Sequence, residues 1–346
     1  MLKTSGSKDP VKEAKKAGLL YVHPSAPGIE RKKTGRGFGY TLPNGKELKD
    51  VKTVDRIRSL GIPPAWKDVW ICTHENGHLQ ATGRDVRGRL QYLYHPEWRA
   101  VRSQTKYHRM LTFAEVLPKI RQKTMRDLEQ KGLTRQRVLA AIVRIMEKTL
   151  IRIGNEEYAK ENDSFGLTTM RSRHVKVAGG VASFHFKGKS GVVHDVELDS
   201  PKLAKIIHQC QELPGQELFG FLDEEGRAHD LGSHDVNLYL QELSGEEITA
   251  KDFRTWFGSV HALQEVRALE PGVSKAARKK NIVQVVDCVS RQLGNTKAVC
   301  KKSYIHPGIF EWYLEEKAFE FKCKCGKAPK LHEAEHELVH FLLANS

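Results

Sequence analysis

Val181-Ala182-Ser183-Phe184-His185-Phe186-Lys187 and Val192-Val193-His194-Asp195-Val196-Glu197-Leu198 stand on either side of Gly188-Lys189-Ser190-Gly191. The two runs read as strands and the residues between them as a hairpin turn. What surrounds this hairpin is helical. Thr134 fits an N-cap, and Val138, Ala141, Ile142, Ile145 and Met146 recur at helical spacing up to about Thr149. His174 to Val177 reads as a short strand. Ser200-Pro201 opens a helix with a capping residue followed by proline. Helices are expected over about 201–213, 234–243, 250–268 and 274–293. The last carries Ile282, Val286, Val289 and Leu293 on one face and stops at Gly294.

Upstream the texture differs. From Leu19 to about Trp98, short apolar runs are cut by turn signals at Pro43-Asn44-Gly45, Ile62-Pro63-Pro64 and Glu75-Asn76-Gly77. Val69 to Thr73 reads as a strand, and so does Leu90 to Tyr94, with Leu90, Tyr92 and Tyr94 on one face. Long helical patterns begin near Tyr107. The expected organisation is a disordered basic N-terminus (1–17), a β-rich domain (18–103), a larger, mainly α-helical domain with the β-hairpin insert (104–318), and a tail with a terminal helix (319–346). The fold class is α+β.

The 346 residues suit two domains. No stretch approaches the ~18 apolar residues of a spanning helix, and Met1 to Lys16 lacks the apolar core of a secretory signal. Cys72, Cys210, Cys288, Cys300, Cys323 and Cys325 are scattered, which is no disulfide framework. A cytoplasmic protein is expected. Lys and Arg number 57 against 42 Asp and Glu, a formal charge of +15. Such an excess favours a polyanion, because each neutralised phosphate releases counterions. The basic residues recur along the chain, at Arg31-Lys32-Lys33, Arg102 to Arg109, Lys119 to Arg126, Arg278-Lys279-Lys280 and Lys301-Lys302. That distribution fits a protein that surrounds its ligand.

Two strings mimic other chemistry. Gly188-Lys189-Ser190 resembles the end of a phosphate-binding P-loop, but position 183 is Ser where that loop needs Gly, and a β-like run follows where it needs a helix. No nucleotide is expected. His332-Glu333-Ala334-Glu335-His336 and His336-Glu337-Leu338-Val339-His340 both fit HExxH. Leu331, Leu338, Val339, Phe341 and Leu342 favour a plain amphipathic terminal helix instead. Cys323 and Cys325 leave a structural zinc site open, and no metal ligand is assigned.

Cleaving a phosphodiester without a metal makes three demands. Fixed cations must face the nonbridging oxygens, and the planar fork of Arg suits this. The departing sugar oxygen needs a proton, which a Lys among other cations can give. A nucleophile must be held in line, and a Tyr oxygen suffices. The chain offers Ile151-Arg152-Ile153-Gly154 after the helix ending near 149, Gly188-Lys189 in the hairpin turn, and Lys251-Asp252-Phe253-Arg254-Thr255 opening a helix. Leu293-Gly294-Asn295 ends the long helix, and Lys301-Lys302-Ser303-Tyr304 follows. Each alone has a bland reading: Arg152 as a helix C-terminal cation, Lys189 as a turn lysine, Asn295 as turn chemistry, Tyr92 and Tyr94 as ordinary strand residues.

In this order the motifs closely resemble the catalytic domain of the type IB DNA topoisomerases of bacteria and poxviruses. Gly35-Arg36-Gly37-Phe38-Gly39-Tyr40, Ile62-Pro63-Pro64-Ala65-Trp66, Gly77-His78-Leu79-Gln80-Ala81 and Gly88 to His95 resemble strings in the N-terminal part of the bacterial members. The resemblance covers about residues 20–315. It implies a monomeric, ATP- and metal-independent enzyme on double-stranded DNA, associated with the nucleoid and without cofactor. It relaxes positive and negative supercoils by cutting one strand, holding it as a 3′-phosphotyrosine ester, and rejoining it. By resemblance Tyr304 is the nucleophile, Arg152 and Arg254 hold the phosphate, and Lys189 is the general acid. Asn295 stands where many members have His, so pH dependence and rate are in doubt there. Gln91, Tyr92 and Tyr94 match DNA-contacting positions, and Tyr158 and Lys251 match supporting phosphate-side positions. The β-rich domain would then be half of a DNA clamp. A tyrosine recombinase shares this chemistry, but usually carries His where this chain has Lys251, and its arm domain is usually helical. The remaining alternative is a non-catalytic DNA-binding protein.

Overall fold

The computed structural model describes residues 10–35, 37–86, 88–269, 274–315 and 331–345, without the side chains at 100, 102–108 and 158. Residues 1–9, Arg36, Cys323, Cys325 and most of the 319–346 tail ahead of its helix lie outside this set. The chain divides into two compact units, Met1–His108 and Arg109–Ser346.

The first unit holds α1 (Pro10–Lys16), β1 (Ile29–Thr34), β2 (Gly37–Thr41), α2 (Val51–Ser59), β3 (Lys67–Ile71), β4 (Leu79–Arg84) and β5 (Leu90–Tyr94). The strands form one antiparallel sheet in the order β2-β1-β3-β4-β5. Ile29, Val69, Ile71 and Ala81 project from it onto Ile57 of α2. That helix starts where the Asp50 carboxylate accepts from Thr53 N at 2.8 Å. The helix was not expected in a stretch so rich in turn signals. Residues 10–16 also depart from expectation, being helical rather than disordered. Glu13 in the first turn and Lys15 and Lys16 in the last suit the helix dipole. Ala14 is fully buried with Leu19 and Trp98, and this one small side chain anchors an otherwise polar segment.

Helix α3 (Pro96–Asp127) runs unbroken through the expected boundary near 103. The second unit continues with α4 (Arg135–Thr149), α5 (Glu156–Asn162), β6 (Val175–Ala178), β7 (Val181–Lys187), β8 (Val193–Asp199), α6 (Pro201–Gln211), β9 (Gly220–Leu222), β10 (Ala228–Asp230), α7 (Ser233–Ser244), α8 (Ala250–Ala268), α9 (Lys275–Gln292), α10 (Lys297–Ser303), α11 (Pro307–Leu314) and α12 (Glu333–Ala344). Helix α4 is buried nearly all round, from Val138 to Met146, which marks it as the core of this unit. Thr134 caps it, accepting from Arg137 N at 3.2 Å. Helices α6, α7 and α8 and strands β8 and β9 pack around it. The hairpin β7–β8 pairs as expected, with Phe186 opposite His194, and β6 completes an antiparallel sheet. The short β9–β10 hairpin and α10 and α11 were not expected.

The terminal helix α12 packs on α8 through Leu338, Phe341 and Leu342, all buried. Glu337, which would polarise water in a zinc-protease reading, is ion-paired with Arg267. Glu335 is 2% exposed and takes a bidentate pair from Arg121 of α3 at 2.6 and 2.8 Å. Arg121 also reaches Glu147 of α4 at 2.6 Å. Removing Glu335 leaves Arg121 with Glu147 and takes away charge-assisted hydrogen bonds that contribute about 1.5–3 kcal/mol. Glu335→Ala is therefore expected to lower unfolding free energy by about that much in urea titration, and a loss under about 1 kcal/mol would put the helix outside the cooperative unit.

Candidate active site

Helix α4 ends at Leu150, in the left-handed region at φ 56°, with its N–H on Met146 O at 2.9 Å. This sharp stop buries Ile151 and sends Arg152 into a cleft. The strand-like segment that follows is held by Leu167 N and Thr168 N on the carbonyls of Arg152 and Ile153, at 2.8 and 2.7 Å. The close approach requires glycine: a Cβ on Gly166 would lie 2.5 Å from Gly154 N.

Arg254 sits near the start of α8, on its second turn, 3% exposed. Its guanidinium donates to Leu150 O and, at 2.5 Å, to Leu293 O. Arg152 donates to Gly294 O at 3.1 Å and to Asn295 Oδ1. The carbonyls of Leu150 and of Leu293 and Gly294 end α4 and α9, where backbone acceptors lack helical partners and the dipole is negative. Two helix ends thus hold two guanidiniums side by side despite their repulsion. Burial, then the charge of Arg152, pulls Arg254 down to about 10, still cationic at neutral pH.

Tyr304 closes α10, its N–H on Cys300 O at 2.9 Å. Its carbonyl accepts from Ser259 Oγ at 3.3 Å and lies over Gly258, where a Cβ would come within 2.7 Å. Gly258 is one helical turn from Arg254, so α8 positions both groups. The Arg254 guanidinium carbon is 5.1 Å from the Tyr304 ring centroid. Burial raises the phenol, but Arg254, Arg152 and Lys251 outweigh it, and the net shift is below the ordinary tyrosine value.

Lys189 is exposed in the turn of the hairpin, where Ser190 and Gly191 have φ of 66° and 78°. One cleft of about 450 Å³ is lined by Arg152, Gly154, Lys189, Lys251, Arg254 and Tyr304, among others. Asn295 joins it through Arg152. Because its Oδ1 accepts from Arg152, its Nδ2 faces away, and among the described residues Asn295 Nδ2 and Arg254 Nε are buried without an acceptor.

The remaining expected residues lie elsewhere. On β5 of the first unit, Tyr92 is 47% exposed and stacks on Tyr94 with centroids 6.1 Å apart. Gln91 points to the other face and donates to Asp85 at 3.1 Å. Tyr158 is on α5, its side chain outside those described. Sequence reading missed His194, which is buried on β8 beside the cleft and held down to about 4 by burial, then by Arg152 and Arg254. Its only signal is its place opposite Phe186 in the expected hairpin.

Comparison with known proteins identifies the family. Residues 95–326 match the family model described as eukaryotic DNA topoisomerase I, catalytic core. Residues 37–85 match that of the bacterial DNA topoisomerase IB N-terminal domain. DNA topoisomerase 1B of Acanthamoeba polyphaga mimivirus is 34% identical over 300 residues, 84% of this chain and 89% of the viral protein. DNA topoisomerase 1 of rabbit fibroma virus is 25% identical over 302 residues, covering 80% and 90%. DNA topoisomerase 1B of vaccinia virus (strain Copenhagen) is 24% identical over 234 residues, covering 66% and 70%. With a matched family model over most of its length and a relative this similar, the chain belongs to the type IB DNA topoisomerases, isomerases that act on DNA.

Proposed function

We propose that the second unit cuts and rejoins one strand of double-stranded DNA through Tyr304, with no ATP and no metal, and that the protein acts as a monomer with the first unit as a DNA clamp. The observation that carries this is the single cleft in which the Tyr304 phenol faces Arg254 and Arg152 with Lys189 at the rim. Arg152, Arg254 and Asn295 supply donors to the nonbridging oxygens. The Tyr304 oxygen bonds to phosphorus, the bond to the 5′ oxygen breaks, and Lys189 gives that oxygen its proton. The resulting 3′-phosphotyrosyl ester keeps the energy of the diester, so the 5′ hydroxyl reverses the step without ATP. Free rotation of the cut strand about the intact one releases supercoils of either sign. Lys251 adds charge beside Tyr304, Tyr92 and Tyr94 present an aromatic face to DNA, and Gln91 and Tyr158 complete the contact set. The fold of this unit is then that shared by type IB topoisomerases and tyrosine recombinases.

Binding through phosphates predicts steep salt dependence. Supercoiled plasmid of either sign is expected to relax in EDTA without ATP at moderate salt, and the rate to fall at least tenfold as salt is raised severalfold (about an order of magnitude by counterion release). No relaxation in EDTA across a salt series, with relaxation restored by a divalent cation, would sink the metal-independent mechanism.

A further inference from the structure

We propose that His194 is a positioning residue whose imidazole sets the distance between the Lys189 turn and the Asn295 turn. Its ring lies between Gly188 and Gly294, the residues immediately before Lys189 and Asn295. A Cβ on Gly188 would fall 2.6 Å from its Cδ2 and Nε2, and one on Gly294 only 1.9 Å from its Cε1. No other residue type fits at either position while the ring is there. Phe186, its cross-strand partner, stacks on it with centroids 4.7 Å apart and planes 4° from parallel. The ring is 8% exposed, so it is a fixed wedge and not a mobile side chain.

The consequence is geometric. Gly294 O holds Arg152, and Asn295 holds it again, so one side of the wedge is the phosphate-binding cluster. The other side carries the exposed lysine on a tight turn, closed by Gly188 N on Val192 O at 2.7 Å. Without the wedge the hairpin tip is free to shift relative to the phosphate. A misplacement of about 1 Å costs on the order of 100-fold in rate. The wedge also remains uncharged at neutral pH, so it adds no third cation beside Arg152 and Arg254.

The inference rests on Lys189 being the general acid, and the test separates the two. Single-turnover cleavage is measured on two DNAs of one sequence, one with the natural 5′-bridging oxygen and one with sulfur in its place. A thiolate leaves without a proton, because a thiol is acidic near pKa ~8.5. His194→Ala, verified as folded by its melting curve, is expected to lose about 10–100-fold on the oxygen substrate and to recover most of it on the sulfur substrate. Lys189→Ala is expected to show the same rescue. If His194→Ala shows no loss, or an equal loss on both substrates while Lys189→Ala is rescued, the wedge does not position the acid. If Lys189→Ala itself is not rescued, the general-acid reading fails first. Should His194→Ala not fold, His194→Gln is read by the same criteria.

Discussion

Tyr304→Phe is expected to abolish relaxation of supercoiled plasmid, a loss of about 10⁴–10⁶-fold on the scale of removing a covalent nucleophile. The substitution is unusually clean in this structure. Phenylalanine keeps the ring beneath the Arg254 guanidinium, 5.1 Å from its carbon. It keeps the backbone contacts with Ser259 and Gly258 that seat α10 on α8. What is lost is one oxygen, beside which Arg254 places its charge. DNA affinity is therefore expected to change less than about tenfold, since one hydrogen-bonding group contributes only about 0.5–1.5 kcal/mol net and the phosphate contacts remain. The check is a pair of measurements on one preparation: relaxation, and the amount of protein covalently joined to 5′-labelled DNA after denaturation. A Tyr304→Phe protein that still forms the adduct would mean another side chain attacks. One that loses DNA binding along with the adduct would mean Tyr304 holds DNA instead of cutting it.

The helical unit was legible because its elements are long and its punctuation strong. The Thr134 cap, the Pro201 start and the Gly294 stop place α4, α6 and α9 within a few residues, and α8 matches its expected span. Short elements carried no such signal. β9 and β10 have three residues each, too few to show alternation. α1 owes its order to a single buried alanine, which composition cannot reveal. The expected boundary near 103 rested on a change of texture, and α3 crosses that point because polar and basic residues are as compatible with helix as apolar ones.

At the site, residue types and their order pointed to groups that line the cleft or hold one that does, since each stands next to a structural stop: Arg152 after a helix end, Lys189 in a turn, Arg254 at a helix start, and Asn295, which holds Arg152, after a glycine. The partners of those groups were not legible. They are backbone carbonyls at Leu150, Leu293 and Gly294, which have no sequence identity, and a histidine whose role depends on two glycines more than a hundred residues apart. Side-chain chemistry can be read from a chain, whereas a hydrogen bond to backbone requires knowing which helix ends meet.

Those carbonyls set the second large effect. Arg254→Ala removes the donor to Leu150 O and Leu293 O and the cation nearest the Tyr304 phenol. Cleavage is expected to fall about 10³–10⁵-fold, the range for a guanidinium that stabilises a phosphoryl transition state. Stability is expected to fall too, by about 1–3 kcal/mol for each buried acceptor left without a partner. Arg254→Lys separates the two contributions. An ammonium keeps the charge but is a point donor, unable to reproduce a planar fork that spans two helix ends and still faces the phosphate. It is expected to recover some of the stability and to remain at least 100-fold slow in single-turnover cleavage. The phenol would titrate higher than in the wild type, since a displaced charge lowers it less while burial still raises it. The pH at which cleavage levels off should accordingly move upward in the lysine variant. A wild-type rate for Arg254→Lys would show that charge alone suffices at this position, and that the helix-end carbonyls hold the fold together without orienting the catalytic guanidinium.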